Sequence, residues 1–427
     1  MRIAAIKPPQ LRTTEEGSDR SASWLELFYD LVFVVAVAVL GVRLLHDTTW
    51  TGVASYVGYF ILLWWLWASH TFYADRYDTD DLVYRLLAVG QIVAIAILAA
   101  SMSDGAAGST AMFAAAYATA RIVLILMYLR ARRHVPETRR LVSGYLIGFG
   151  IGAAIWLLSV FVPEPFRFYL WAIGLAVEVA TPYAMRRVQA KVPLDVSHLP
   201  ERFGLFTILV LGESIAAVVA GLSELSWEAA STTAAILGVI TATGLWWMYF
   251  DNLDGSVVRR RVEDLKAWRP TTWIYSHLPL AIALAIAGVG LEHAVVEAVA
   301  HHSFPAPERW LLVSAVAVAF AAMALNQYAT VRPSAPGANL PIVRNRLMGI
   351  PVVLLLGFFG FLSSVWIVFL VTLVCAGEVA ADVYAATRDD SEHALDEGQN
   401  EPDGEGAKTI TPRPEPRAAS FGTETSE

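Results

Sequence analysis

Apolar segments of nearly one length recur from residue 24 to residue 383, separated by short polar connections. An α-helix needs about 20 residues, at 1.5 Å each, to cross a hydrocarbon layer about 30 Å thick. Windows of that size fall at 24–44, 50–69, 84–101, 111–129, 143–162, 166–185, 203–222, 230–250, 274–294, 309–329, 346–362 and 364–383. The last two are one apolar stretch that a tight turn near Ser363 and Ser364 must divide. The alternating pattern of a membrane barrel is absent. The expected fold class is therefore an all-α integral membrane protein with about twelve transmembrane helices.

Composition excludes the main alternatives. Only 16% of residues are charged, against about 25% in soluble domains. The single cysteine, Cys375, cannot pair within the chain, so no disulfide framework is expected. The net charge of −8 leaves no basic excess for nucleic acid. That charge is also localised, because residues 388–427 hold eleven acidic and four basic side chains. Few apolar residues accompany them, and 386–427 reads as an acidic disordered tail.

Basic residues test the span count, since positively charged loops stay in the cytoplasm. With twelve spans, 27 of the 31 Lys and Arg lie on the side of the two termini. The opposite side has Arg43, Arg167 and Arg309, and Arg121 lies inside a span. Both termini are expected in the cytoplasm. The polar first 23 residues and the span-length run after them do not read as a cleavable signal peptide.

The two halves look alike. Glu26 opens the first span and Glu201 the seventh, and Trp64-Trp65 with Asp75 parallels Trp246-Trp247 with Asp251. Tyr84 parallels Tyr275, and Glu178-Val179-Ala180 parallels Glu378-Val379-Ala380. Six spans per half give both halves the same orientation, as parallel repeats about an axis along the membrane normal. The expected organisation is a cytoplasmic segment at 1–23, repeat 1 at 24–185, a cytoplasmic linker at 186–200, repeat 2 at 201–385, and the tail at 386–427.

Ionisable groups in hydrocarbon cost at least about 2.5–3.5 kcal/mol, so they face the bundle interior and mark functional paths. Glu26 and Asp30 are four apart, on one helical face. Glu213 lies ten residues into its span, near mid-membrane, and Glu178 and Glu378 lie deep in the sixth and twelfth. These five are the candidate ion path, with His70, Gln91, Arg121, Asp251 and His277 as supporting polar groups. Two readings stay open. The carboxylates pair with Arg121 or Arg202 and fix helix packing, or some of them carry a cation or proton. His293, Glu297 and His301 have metal-ligand spacing, but read as a polar helix end. No metal site, cofactor or catalytic constellation is expected, and the chain does not read as an enzyme.

Two segments carry a resemblance. Trp24-Leu25-Glu26-Leu27-Phe28-Tyr29-Asp30-Leu31-Val32-Phe33-Val34 resembles the opening motif of the bacterial low temperature requirement A (LtrA) family. Glu201-Arg202-Phe203-Gly204-Leu205-Phe206-Thr207-Ile208, continuing to Leu211-Gly212-Glu213-Ser214, resembles its second motif. The resemblance extends from about residue 20 to 385. It implies a multi-pass protein of the bacterial inner membrane linked to growth at low temperature, and it implies no molecular activity. Phe28-Tyr29-Asp30 also resembles the Phe-Ser-Asp opening of the lysosomal and bacterial potassium channel family, with Tyr29 in the serine's place. The expected partners are the lipid bilayer and a cation or proton. The leading expectation is cation or proton-coupled transport or conduction; the alternative is a non-transporting membrane sensor or scaffold.

Overall fold

A computed structural model describes residues 6–12, 23–103, 109–191, 199–223, 225, 227–252, 268–300, 302–330 and 340–399. Met1–Ala385 form one compact unit and Ala386–Glu427 a second. The first half holds α1 (Trp24–His46), α2 (Trp50–Arg76), α3 (Leu82–Ser101), α4 (Thr110–His134), α5 (Arg139–Val160), α6 (Phe166–Ala184) and the short α7 (Arg186–Gln189). The second holds α8 (Leu199–Ser223), α9 (Ala229–Phe250), α10 (Trp268–Glu297), α11 (Ala306–Thr330), α12 (Leu340–Leu356) and α13 (Ser364–Gln399).

A long helix occupies each of the twelve expected windows, and ten of these helices are long and apolar enough to cross a membrane. The other two are α6, which carries Arg167, Glu178 and Pro182, and α12, which has 17 residues. The division near Ser363 and Ser364 falls where the sequence requires it. The helix α13 continues to Gln399, so the described start of the acidic tail is helical. Residues 400–427, and 192–198 of the expected linker, lie outside the described residues.

Local chemistry explains the helix starts. Ser23 and Glu26 form a reciprocal capping box on α1: Glu26 N donates to Ser23 Oγ (3.3 Å), and Ser23 N donates to Glu26 Oε2 (2.9 Å). Thr49 caps α2 and Ser109 caps α4 in the simpler way. Asp81 caps α3 through Tyr84 N (3.1 Å) and also accepts from Lys7 N (3.1 Å) and from Arg130. Burial pushes the Asp81 carboxyl up, but these hydrogen bonds outweigh it and hold the group below the ordinary carboxylate value. The N-terminal segment is tied to the same corner by two short strands. β1 (Gln10–Leu11) pairs antiparallel with β2 (Tyr77–Asp78), with Leu11 opposite Tyr77.

Part of the packing order recurs in the second half. α1 packs on α2 and α3, α3 on α4, and α4 on α5. Likewise α8 packs on α9 and α10, α10 on α11, and α11 on α12. The halves meet where α1 and α2 contact α8 and α10. The α10 and α11 windows are 72% buried against 39% for α1 and α3, which puts that pair at the centre. Close approach there depends on small residues: a Cβ on Gly288 would lie 2.7 Å from Ser214 Cα, and one on Gly290 would lie 2.9 Å from Leu312 Cα.

Candidate functional site

At the seam between the halves, Asp30 on α1 meets Arg202 on α8. Arg202 Nη2 donates to Asp30 Oδ1 (2.8 Å), and Trp67 Nε1 on α2 donates to the same oxygen (2.8 Å). Glu26 lies one helical turn away, with Oε2 3.6 Å from Arg202 Nη1. Asp30 is fully buried and Arg202 nearly so. Aromatic rings enclose the pair: Trp67 packs on Phe206 (4.3 Å between centroids) and edge-on against Phe203 (5.1 Å). Tyr29 stacks on His70 (4.0 Å). Asp30 Oδ2, Tyr29 Oη and His70 Nδ1 are buried without a hydrogen-bond partner. The helical spacing that puts Glu26 and Asp30 on one face also aims both at Arg202.

Close by, His277 on α10 packs edge-on against Phe203 (4.8 Å). Its Nδ1 lies 2.7 Å from Trp273 O and its Nε2 lies 3.0 Å from Tyr249 Oη. A carbonyl only accepts, so Nδ1 donates to it. In the neutral ring Nε2 then accepts from the Tyr249 hydroxyl. This network, with Asn326 donating to Ser276 Oγ (3.1 Å), joins α9, α10 and α11.

Two further buried charge clusters stand apart from the seam. In the first half Arg121 on α4 pairs with Glu178 on α6 (2.8 Å), and both are fully buried. Tyr117 Oη donates to Glu178 Oε2 (3.0 Å). In the second half Arg346 on α12 bridges Glu378 (2.7 Å) and Asp382, both on α13, and Asn252 donates to Asp382 (3.0 Å). Each glutamate rests on a glycine of the preceding long helix. A Cβ on Gly152 would lie 2.7 Å from Glu178 Cγ, and one on Gly349 would lie 2.6 Å from Glu378 Oε1.

The five expected path carboxylates therefore do not converge. Glu26 and Asp30 share the seam, while Glu178 and Glu378 each have their own arginine. Glu213 is half-buried on α8 and forms no hydrogen bond or ion pair among the described residues. Of the supporting groups, Gln91 donates from α3 to Ala120 O on α4 (3.2 Å). Asp251 is exposed at the C-cap of α9, where it accepts from Trp247 Nε1. Sequence reasoning missed Arg346 and Asp382, and it did not connect Trp67 with Asp30. The four-residue spacing of Glu378 and Asp382 on one helical face was the available signal. Among the described residues no three His, Cys, Asp or Glu side chains gather to hold a metal ion, and His301 lies outside them.

Comparison with known proteins places these motifs in one lineage. An uncharacterized protein of Rhizobium meliloti (strain 1021) is 28% identical over 289 residues, covering 65% of this chain and 70% of the relative. No solved structure matches the chain. Residues 21–379, which contain all three charge clusters except Asp382, match the family described as Bacterial low temperature requirement A protein (LtrA), and the chain belongs to that family.

Proposed function

We propose that this LtrA-family membrane protein moves a cation or proton across the bacterial inner membrane. In this reading it has twelve spans in two parallel six-helix repeats, with both termini cytoplasmic. The part of the packing order that the halves share and the paired Gly152–Glu178 and Gly349–Glu378 contacts support the repeat. One observation carries the transport reading: Asp30 and Arg202 form a buried ion pair across the seam, and Asp30 Oδ2 has no partner. A proton taken up at Oδ2 removes the charge that holds Arg202, and a cation there competes with it. Either event loosens the tie between the halves, as alternation around a fixed site requires. Glu213, which pairs with no cation among the described residues, is the second carboxylate for such a path.

Flux in proteoliposomes tests this. Asp30→Asn is expected to abolish H+, K+ or Na+ movement, and Glu213→Gln to reduce it. Unchanged flux of all three ions in both variants would overturn the proposal. The second reading, a non-transporting sensor or scaffold, is favoured by the separate unit Ala386–Glu427 and by the arginine pairing of four carboxylates. It requires that truncation at residue 388 remove any cold-growth phenotype while flux is absent from the intact protein.

A further inference from the structure

Where α1 turns into α2, the two helices enclose a cavity of about 120 Å³. Admitting one water takes only about 10–15 Å³. With both termini cytoplasmic, this cavity opens on the outer face. His46 and Asp47 stand exposed at its mouth, and Ser55 is exposed beside them. Leu40 and Tyr56, both buried, form its floor. At 1.5 Å per residue each lies about 10 Å below the turn. A Cβ on Gly52 would strike Asp47, so this glycine lets the turn close over α2.

The charged groups of the wall are occupied. Arg43 Nη1 donates to Met102 O (3.2 Å), and the same guanidinium bonds the Tyr59 hydroxyl. Asp47 Oδ1 accepts from Thr49 N (3.1 Å). The floor differs. Tyr56 is 3% exposed, and its hydroxyl has no hydrogen-bond partner. The charge of Glu213 on α8 acts on that hydroxyl. Glu213 lies ten residues before the α8 terminus at Ser223, about 15 Å along the helix. Tyr56 thus stands at a depth between the cavity mouth and the mid-membrane carboxylate.

We propose that this cavity is the outer entrance of a proton path in which Tyr56 Oη relays the proton to Glu213; the entrance rests on the transport reading above and makes H+ the ion moved. A metal cation gives up its water only to a ring of oxygens, and the floor offers one oxygen beside the apolar Leu40. A proton needs a single hydroxyl, because a hydroxyl both donates and accepts. Tyr56 Oη takes a proton from a hydronium in the cavity as its own proton leaves towards Glu213. The hydronium becomes water, the carboxylate becomes a neutral acid, and rotation of the hydroxyl resets the relay. No hydrogen bond joins Tyr56 to Glu213, so one water bridges the step.

The test uses the full-length protein in proteoliposomes. H+ uptake is read with a trapped pH dye, and K+ and Na+ uptake with tracer ions in separate vesicles. Wild type is expected to take up H+, and no more K+ or Na+ than empty vesicles do. Tyr56→Phe should slow H+ uptake at least tenfold. It should melt no lower than wild type, because it removes a buried hydroxyl that has no partner. If Tyr56→Phe melts lower or does not fold, Ser55→Cys decides instead. A membrane-impermeant thiol reagent on the outer face should then slow its H+ uptake at least tenfold and leave wild type, whose Cys375 is buried, unaffected. H+ uptake unchanged in Tyr56→Phe, or in the modified Ser55→Cys where that variant decides, overturns the entrance while transport stands. K+ or Na+ uptake by wild type overturns the assignment to protons alone. No uptake of any of the three ions overturns the transport reading itself, and the entrance with it.

Discussion

Asp30 and Arg202 are one unit by geometry, so their variants should not behave additively. Arg202→Gln leaves a buried carboxylate without its cation, and breaking such a pair costs about 3–5 kcal/mol. Asp30→Asn is expected to cost less, because Glu26 Oε2 remains 3.6 Å from the guanidinium. The double variant should be more stable than the sum of the single losses implies, measured by denaturant titration in micelles. Losses that simply add would show that the two side chains do not interact. Glu213→Gln is a contrasting case. It removes no ion pair, so its stability change should stay within about 0.5 kcal/mol even if flux falls; a loss as large as that of Arg202→Gln would contradict its isolation. These residues were unequally legible in sequence. A carboxylate amid apolar neighbours announces itself, so Asp30, Glu178, Glu213 and Glu378 are visible. Arg346 is not, because an arginine at a span edge looks like a topological signal. Trp67 is equally hidden, since Trp64 and Trp65 beside it have the same composition and only the fold selects which indole reaches Asp30.

At the scale of elements, α5 separates packing glycines from merely tolerated ones. Gly150 faces open space, whereas a Cβ on Gly152 would press on Glu178. Gly150→Ala should be neutral or stabilising by up to about 1 kcal/mol, through helix propensity alone. Gly152→Ala should destabilise by about 1–3 kcal/mol, as overpacking does, and should also disturb the Arg121–Glu178 pair. Equal effects from the two, in the same denaturant titration, would show that α6 does not seat on this face. The α2–α3 corner makes a prediction in pH. The Asp81 carboxyl is held below its ordinary value, so its contribution is fully present above the unfolded-state pKa of about 3.9. That contribution is lost as pH falls through the lower folded value. Melting temperature should therefore drop below about pH 4 more steeply in wild type than in Asp81→Asn, which lacks the titrating group. Parallel curves would remove Asp81 from the acid response. Helix positions were readable from apolar run lengths, and every expected window holds a helix. The β1–β2 ribbon was not, because two-residue strands carry no periodic pattern.

The number of crossings is a property of the whole molecule, and it turns on α6 and α12. The 19 residues of α6 rise about 28 Å, close to the about 30 Å a crossing needs. Its composition counts against it, because Arg167 and Glu178 lower its apolar character. Their placement answers that objection. Glu178 is not an isolated charge in lipid but is paired with Arg121 (2.8 Å), and Arg167, at the helix start, donates to Ser159 O (3.0 Å). The same argument applies to α12, whose Arg346 is spent on Glu378 and Asp382. A helix whose buried charges are answered within the bundle can cross despite a low mean hydropathy, so twelve crossings are expected where apolar length alone supports ten. Single cysteines placed in a Cys375→Ser background decide the point. Pro163→Cys and Ala190→Cys flank α6, and Leu340→Cys and Phe361→Cys flank α12; all four positions are exposed. With membrane-impermeant thiol reagents on sealed vesicles of one orientation, each pair should label from opposite faces. A pair that labels from the same face would mean that its helix does not cross. If α6 alone failed, every later connection would exchange sides and the two halves could not be parallel repeats.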